Sequence, residues 1–179
     1  MAVLSRRRVL KYGVIGSAVL AVGGIGLGLQ ETKLSDQPPD LKALNHREYS
    51  ILCAIVDRMF PHNPPFISGT AANVPEDVDD LMSRLPQMVV AEFKQALLLL
   101  ENALTGLIFS ATPRPFSQCS PIEQDAILEA WRTSSLSFRR MVFRALNSVC
   151  AGAYYANASQ FDAIGYPGPP ININPGALQ

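Results

Sequence analysis

Three features of the sequence predict an all-α fold, a compact bundle of about five helices around a central long helix. Apolar residues recur at three- and four-residue spacing in successive segments between Asn45 and Tyr155. Helix-start signatures stand at Asn45-x-x-Glu48 and Ser120-Pro121-Ile122-Glu123. Proline and glycine clusters separate the segments. The body is preceded by an export or anchor segment and followed by an extended proline-rich tail. The divisions are 1–32 for the export segment, 33–44 for a linker, 45–156 for the helical domain and 157–179 for the tail.

The first element is an address. Ser5-Arg6-Arg7-Arg8-Val9-Leu10-Lys11 precedes an apolar run from Tyr12 to Leu29, and polar Gln30-Glu31-Thr32-Lys33 follows. A basic start, an apolar stretch and a polar flank make the layout of an export signal. Ser5, Arg6, Arg7, Leu10 and Lys11 resemble a twin-arginine signal in register, with Val9 where phenylalanine is usual. The six glycines of the apolar run make it only weakly hydrophobic, although it is long enough to span a bilayer. No Ala-x-Ala precedes Gln30, so the segment is either cleaved at a weaker site or kept as an anchor. The alternating glycines of Gly24-Ile25-Gly26-Leu27-Gly28 have no strand before them and no helix cap after, which removes a nucleotide-loop reading.

About 145 residues remain after this segment, enough for one domain with a sizeable core. The chain carries 15 basic and 15 acidic groups, and four of the basic ones lie in the first eleven residues, leaving 11 against 15. A body of net charge about −4 is a poor ligand for nucleic acid, whose phosphates require a basic face. Cys53, Cys119 and Cys150 form no Cys-x-x-Cys, which disfavours zinc, iron-sulfur and covalent haem sites in this chain. Cys53 and Cys150 fall on apolar helix faces. Cys119, in a loop beside Ser120, is the candidate for a disulfide.

The stretch from Lys33 to Leu44, with Pro38-Pro39, reads as a tether. From Asn45 a helix carries Tyr49, Leu52, Val56 and Met59 and ends at Pro61, with Asp57 and Arg58 near its end as a solvated pair. Phe60 to Thr70 is an irregular loop with exposed aromatics and His62, which lacks metal-ligand spacing. The acidic run Pro75-Glu76-Asp77-Val78-Asp79-Asp80 lacks the alternation of a calcium loop. Instead Asn73 is expected to cap a short helix to about Leu85, with the carboxylates at the positive end of its dipole.

The next helix, Gln87 to Phe109, is apolar around most of its circumference and is expected at the centre of the bundle, Leu97 to Leu100 being a candidate subunit contact. After Thr112-Pro113-Arg114-Pro115-Phe116 a helix starts at Ser120 and passes through Ile127, Leu128 and Trp131. The last runs from about Ser137 to Tyr155, with Arg139, Arg140 and Arg144 on a solvated flank. Beyond Asn157 the chain has no core of its own, and Tyr166 with its neighbouring prolines suits docking against another surface.

The order of these features resembles the gluconate 2-dehydrogenase subunit 3 family. The likeness rests on the twin-arginine start, Leu44 with Glu48 through Asp57-Arg58-Met59-Phe60-Pro61, and Phe116 followed by Gln124, Leu128 and Trp131. Tyr154-Tyr155 and Ile164-Gly165-Tyr166-Pro167-Gly168-Pro169 complete it. The Pro64-Pro65-Phe66-Ile67 insertion departs from the simpler loop that the family leads one to expect. The resemblance implies a non-catalytic small subunit, exported to the periplasm at the membrane by the twin-arginine translocase. A large glucose-methanol-choline-type dehydrogenase subunit carries FAD, and a cytochrome subunit with haem often completes the complex. The chain itself is expected to hold no cofactor or metal.

The residues expected to bind the partner are Phe60, Pro61, Phe66, Phe116, Tyr154, Tyr155, Gly165, Tyr166, Pro167, Gly168, Pro169 and Pro170. Two competing readings are a membrane-tethered binding or assembly protein without a dehydrogenase partner, and a small enzyme using Asp57, His62 or the Tyr154-Tyr155 pair in an interhelical pocket.

Overall fold

Asn45 begins the element on which three of the other helices pack. Its side chain accepts the Glu48 N–H at 2.9 Å, and the Glu48 carboxylate accepts the Asn45 N–H at 2.8 Å, closing the predicted capping box at the start of α1 (His46–Met59). Ile51, Leu52, Ile55 and Val56 of this helix have no solvent exposure. Each such side chain contributes about 1.5–3 kcal/mol of burial. The computed structural model describes residues 32–34, 40–102 and 114–168, all within one compact unit. The expected export residues Ser5, Arg6, Arg7, Leu10 and Lys11, and Pro169 and Pro170, lie outside them.

The described residues contain four further α-helices and no β-strand: α2 (Val74–Ser83), α3 (Gln87–Glu101), α4 (Pro121–Arg132) and α5 (Ser137–Ala156). Single 3-10 turns occupy Phe116–Gln118 and Ala158–Gln160. The all-α bundle is therefore the one predicted. Its middle is taken by α1, against which α2, α3, α4 and the Phe116–Gln118 turn pack. α3 was expected there, but it buries only the stripe of Phe93, Ala96, Leu97 and Leu100, and leaves Met88, Val89 and Leu98 exposed. Asn102 turns extended at φ −56° and ψ 129°, which stops α3 at Glu101; the rest of the expected run, to Phe109, lies outside the described residues. Among the described residues no helix is long and apolar enough to cross a membrane.

Two helix starts differ in quality. Ser120 accepts from the Glu123 N–H, and Glu123 accepts in return from Ser120, with Pro121 in the first turn of α4. Asn73, expected to cap α2, makes no side-chain cap and adopts a left-handed φ of 55°. Asparagine tolerates that conformation better than most residues, so it serves the turn rather than the cap. α2 ends at Ser83, two residues before the expected boundary.

Carboxylates hold the loops. Asp79, read from sequence as one of the dipole-facing acids, is buried and accepts the backbone N–H groups of Lys42, Ala43 and Leu44 at 2.7, 3.0 and 2.7 Å. The C-terminal end of the expected tether is thereby fastened to α2. Glu101, at the end of α3, is also buried and accepts the Ser117 N–H at 2.9 Å and its hydroxyl at 2.7 Å. The Ser117 hydroxyl oxygen accepts the Lys33 N–H at 3.1 Å, and Arg47 donates to the Thr32 hydroxyl at 2.8 Å. Glu48 adds an ion pair to Lys94 at 3.0 Å, joining α1 to α3.

Asp79→Ala leaves the buried Leu44 N–H without its acceptor and is expected to cost about 1–3 kcal/mol in urea denaturation. Burial, opposed by the Ser117 hydrogen bonds, holds the Glu101 carboxyl above the ordinary carboxylate range. A raised value means that the folded chain keeps a proton which the unfolded chain releases. That contribution to stability is complete below the ordinary range and is lost as pH rises through the raised value. Glu101→Gln is thus expected to flatten the stability-pH curve just above the ordinary carboxylate range, and an unchanged slope across that window would count against this assignment.

Candidate functional site

The loop that follows α1 is ordered by its own backbone and by α5. The Phe60 N–H donates to the Val56 carbonyl at 2.9 Å and ends the helix, after which Pro61 prevents continuation. Asn63 and Phe66 exchange N–H to carbonyl hydrogen bonds at 3.2 and 2.9 Å around the cis Pro64-Pro65 bond, so the insertion is a tight hairpin turn. Gly69 closes the loop by donating to the Phe60 carbonyl at 2.8 Å. A Cβ at Gly69 would lie 2.3 Å from Val56 Cγ1 and 3.2 Å from Val56 O, so only glycine permits this approach.

The end of α5 fixes the loop from the other side. Tyr154 stacks on Phe60 with ring centroids 4.5 Å apart, and its hydroxyl donates to the Ile67 carbonyl at 2.7 Å. Tyr155 stands edge-on to both rings, at 6.5 Å from Phe60 and 5.1 Å from Tyr154. Asn157 donates from its side chain to the Ala72 carbonyl at 2.7 Å and accepts the Ser159 N–H at 2.9 Å. From Asn157 to Gly168 the chain is consequently folded where an extended tail was expected, and the rest of that tail lies outside the described residues. Gln160 is fully buried, and Tyr166 meets Phe161 edge-on at 5.0 Å. Gly165 and Gly168 take left-handed φ values of 68° and 91°, which glycine adopts at no steric cost.

The predicted partner residues divide into two groups. Pro61, Tyr155, Gly165, Tyr166 and Pro167 are exposed, with Phe60, Phe66 and Gly168 half-buried beside them. Phe60 and Tyr155 meet at the C-terminal end of α5, and the turn that carries Gly165 to Gly168 follows that helix in the chain. Phe116 and Tyr154 form the other group. Phe116 is completely buried in the core, and its carbonyl accepts from the Gln124 side chain at 3.0 Å. Tyr154 is 2% exposed and acts as a pillar under the loop. Neither can touch a partner without opening the core.

The cysteines are free, and Cys119, the candidate for a disulfide, is buried with its Sγ donating to the Pro115 carbonyl at 3.4 Å. Burial raises the Cys119 thiol, pushes Cys53 up to about 11 and Cys150 up to about 12. Such thiols carry little thiolate and react slowly.

Asp57 and Tyr154, named for an enzymatic pocket, are each engaged by the Phe60–Thr70 loop. Asp57 accepts from the Thr70 hydroxyl at 2.6 Å, and Arg58 turns away to Asp125 at 2.8 Å rather than pairing with Asp57. His62 is exposed on the loop. An open groove beside these residues is lined by Arg58, Met59, Asp125, Leu128, Glu129, Phe143 and Asn147, without Asp57, His62 or either tyrosine of the pair. Among the described residues no group of three or more His, Cys, Asp or Glu side chains is placed to hold a metal ion.

Sequence reasoning missed Gly69, Asn157 and the two loop-holding carboxylates. A signal existed for the carboxylates: Asp79 falls beside Val78 and Met82 on the apolar side of α2, and Glu101 follows Phe93 and Leu97 at four-residue spacing. A charge on a buried stripe calls for a partner. No comparable signal marks Gly69 or Asn157, whose contacts lie across the fold.

A family model described as gluconate 2-dehydrogenase subunit 3 matches residues 46–168. Comparison with curated proteins and with solved structures gives no match. Gly69→Ala is expected to lower stability by about 1–3 kcal/mol through overpacking against Val56, read by thermal and urea denaturation. A neutral result would mean that the loop does not need this approach.

Proposed function

The chain belongs to the gluconate 2-dehydrogenase subunit 3 family, and on that premise we propose that it is the non-catalytic small subunit of an exported, membrane-associated, FAD-dependent dehydrogenase. Family membership makes it an accessory subunit of a dehydrogenase. In the proposal the large subunit is of the glucose-methanol-choline type and acts on a sugar acid, sugar or alcohol. FAD sits on that subunit, and a haem-bearing cytochrome subunit can complete the assembly. This chain stabilises the large subunit and supplies its export signal through Ser5, Arg6, Arg7, Leu10 and Lys11, delivering both to the periplasmic face of the membrane by the twin-arginine translocase.

The observation that carries the reading is the family match over residues 46–168, which spans the proline and aromatic residues from Phe60 to Gly168. Two physical points support it. The route suggested by the arginine pair carries proteins already folded around a cofactor, and a cofactor on a bound partner accounts for its use. The exposed aromatics are also held in advance: the loop is tied to α5 by the Tyr154 hydroxyl and the following turn by Asn157. A surface ordered before binding loses less entropy on docking.

Purification of the full-length chain from its host's membranes is expected to bring down a large flavoprotein in stoichiometric amount, with flavin absorbance that the isolated chain lacks. Deleting Gly165 to Pro170 should release that flavoprotein while circular dichroism reports an unchanged helix content. Recovery of the chain alone, or substrate oxidation by the isolated chain, would overturn the proposal.

A further inference from the structure

Three side chains converge on the chain just downstream of the export segment. Glu101, buried at the end of α3, accepts from the Ser117 N–H and hydroxyl at 2.9 and 2.7 Å and from the Thr32 hydroxyl. Arg47 of α1 donates to the same Thr32 oxygen at 2.8 Å, and the Ser117 hydroxyl oxygen accepts the Lys33 N–H at 3.1 Å. Thr32 is half-buried as a result. The chain is fastened again at Lys42 to Leu44 by Asp79. A spacer needs none of these bonds, because water satisfies the backbone of an exposed tether.

The clamp lies close to the bond that an export peptidase would cut. Such enzymes require small residues at the first and third positions before the bond, and Gly26 with Gly28 is the pair nearest the body. Only Leu29, Gln30 and Glu31 then stand between the bond and Thr32, a reach of at most about 11 Å. Cleavage takes place in chain drawn out extended into the enzyme's groove, and chain tied down by hydrogen bonds is cut only when it opens. The other small pair, Ala21 with Gly23, lies five residues deeper in the apolar run. Timing favours the clamp as well. A twin-arginine passenger crosses the membrane already folded, so the bonds to Thr32 and Lys33 exist before a peptidase on the far side meets the chain. A receptor-read signal is an address, and it becomes an anchor only by staying attached.

We propose that the clamp of Glu101, Ser117 and Arg47 keeps residues 1–31 on the exported chain, so that the signal serves afterwards as its membrane anchor. Retention rests on the export part of the small-subunit reading, and it decides between the cleaved and the retained forms that the sequence leaves open.

Intact-mass measurement of the full-length chain, tagged at its C-terminus and purified from host membranes, should find residues 1–31 present. Further variants separate the clamp from the weakness of the natural site. Gly26→Ala with Gly28→Ala creates an Ala-x-Ala sequence that a peptidase cuts readily. In that background the clamped chain should stay full length. A Gly-Ser insert of about ten residues between Glu31 and Thr32, which leaves the fold untouched, should raise the shortened form at least about tenfold. Thr32→Val, which removes the hydroxyl that Arg47 and Glu101 share, should also raise it. A parent shortened at or before Gly28, or equal cutting of the Ala-x-Ala chains with and without these changes, overturns the inference and leaves the small-subunit reading standing. A parent found only in the cytoplasm sinks the export reading and this inference together. A full-length membrane chain that brings down no flavoprotein sinks the small-subunit reading but not the clamp.

Discussion

Buried backbone donors in the connections between helices are the constraint that shapes this body. A helix satisfies its own N–H groups, but proline-broken segments do not, and an unpaired buried donor costs free energy comparable to a lost hydrogen bond. Asp79 takes up the buried N–H of Leu44 and the partly buried ones of Lys42 and Ala43, and Glu101 takes up the buried Ser117 N–H and hydroxyl. Glu48 closes the cap of α1 and reaches Lys94. Each carboxylate lies on or near the apolar side of its helix, where it can reach into the loop layer. α2, α3 and α4 pack by hydrophobic burial against α1, and α5 packs against those three; the approach to α1 and the turn at Phe116 are placed by these carboxylates.

The candidate docking surface follows the same logic with neutral groups. The Phe60–Thr70 loop, having no regular structure, is ordered by the Tyr154 hydroxyl, by the stacking of Phe60 and by the close approach at Gly69. Asn157 does the same for the chain leaving α5. Residues buried to hold the surface are thus distinct from those it exposes. Tyr154 supports and Tyr155 presents, although they are neighbours in sequence. A one-residue step along a helix turns a side chain by about 100°, enough to divide a tyrosine pair between core and surface.

This division explains where expectation and structure part. Phe116 and Tyr154 belong to the motifs that carry the family resemblance, and both were expected at the partner interface. Their place in the core shows that in this chain both aromatics serve packing. The centre of the bundle differs for a related reason. The run from Gln87 is the more apolar, but apolarity around the whole circumference does not say which side is covered. α1 has fewer apolar residues, set on faces that four neighbouring elements cover.

What the sequence by itself determined was local. The capping boxes at Asn45 and Ser120, the breaks at Pro61 and Pro86, the start of α5 at Ser137 and the all-α class were all legible, because each depends on residues within one or two turns of chain. Family membership was legible too, from short motifs spread over the body. Only the tertiary structure decided that Asp79 and Glu101 are loop anchors, that Cys119 is enclosed, and that Tyr154 and Tyr155 have opposite roles. Most of those outcomes depend on which surfaces meet across the chain: 16 residues separate Glu101 from Ser117, 35 separate Leu44 from Asp79, and 87 separate Tyr154 from Ile67. A local pattern says which face of a helix is apolar, but the partner that covers it is chosen by the packing of the whole chain.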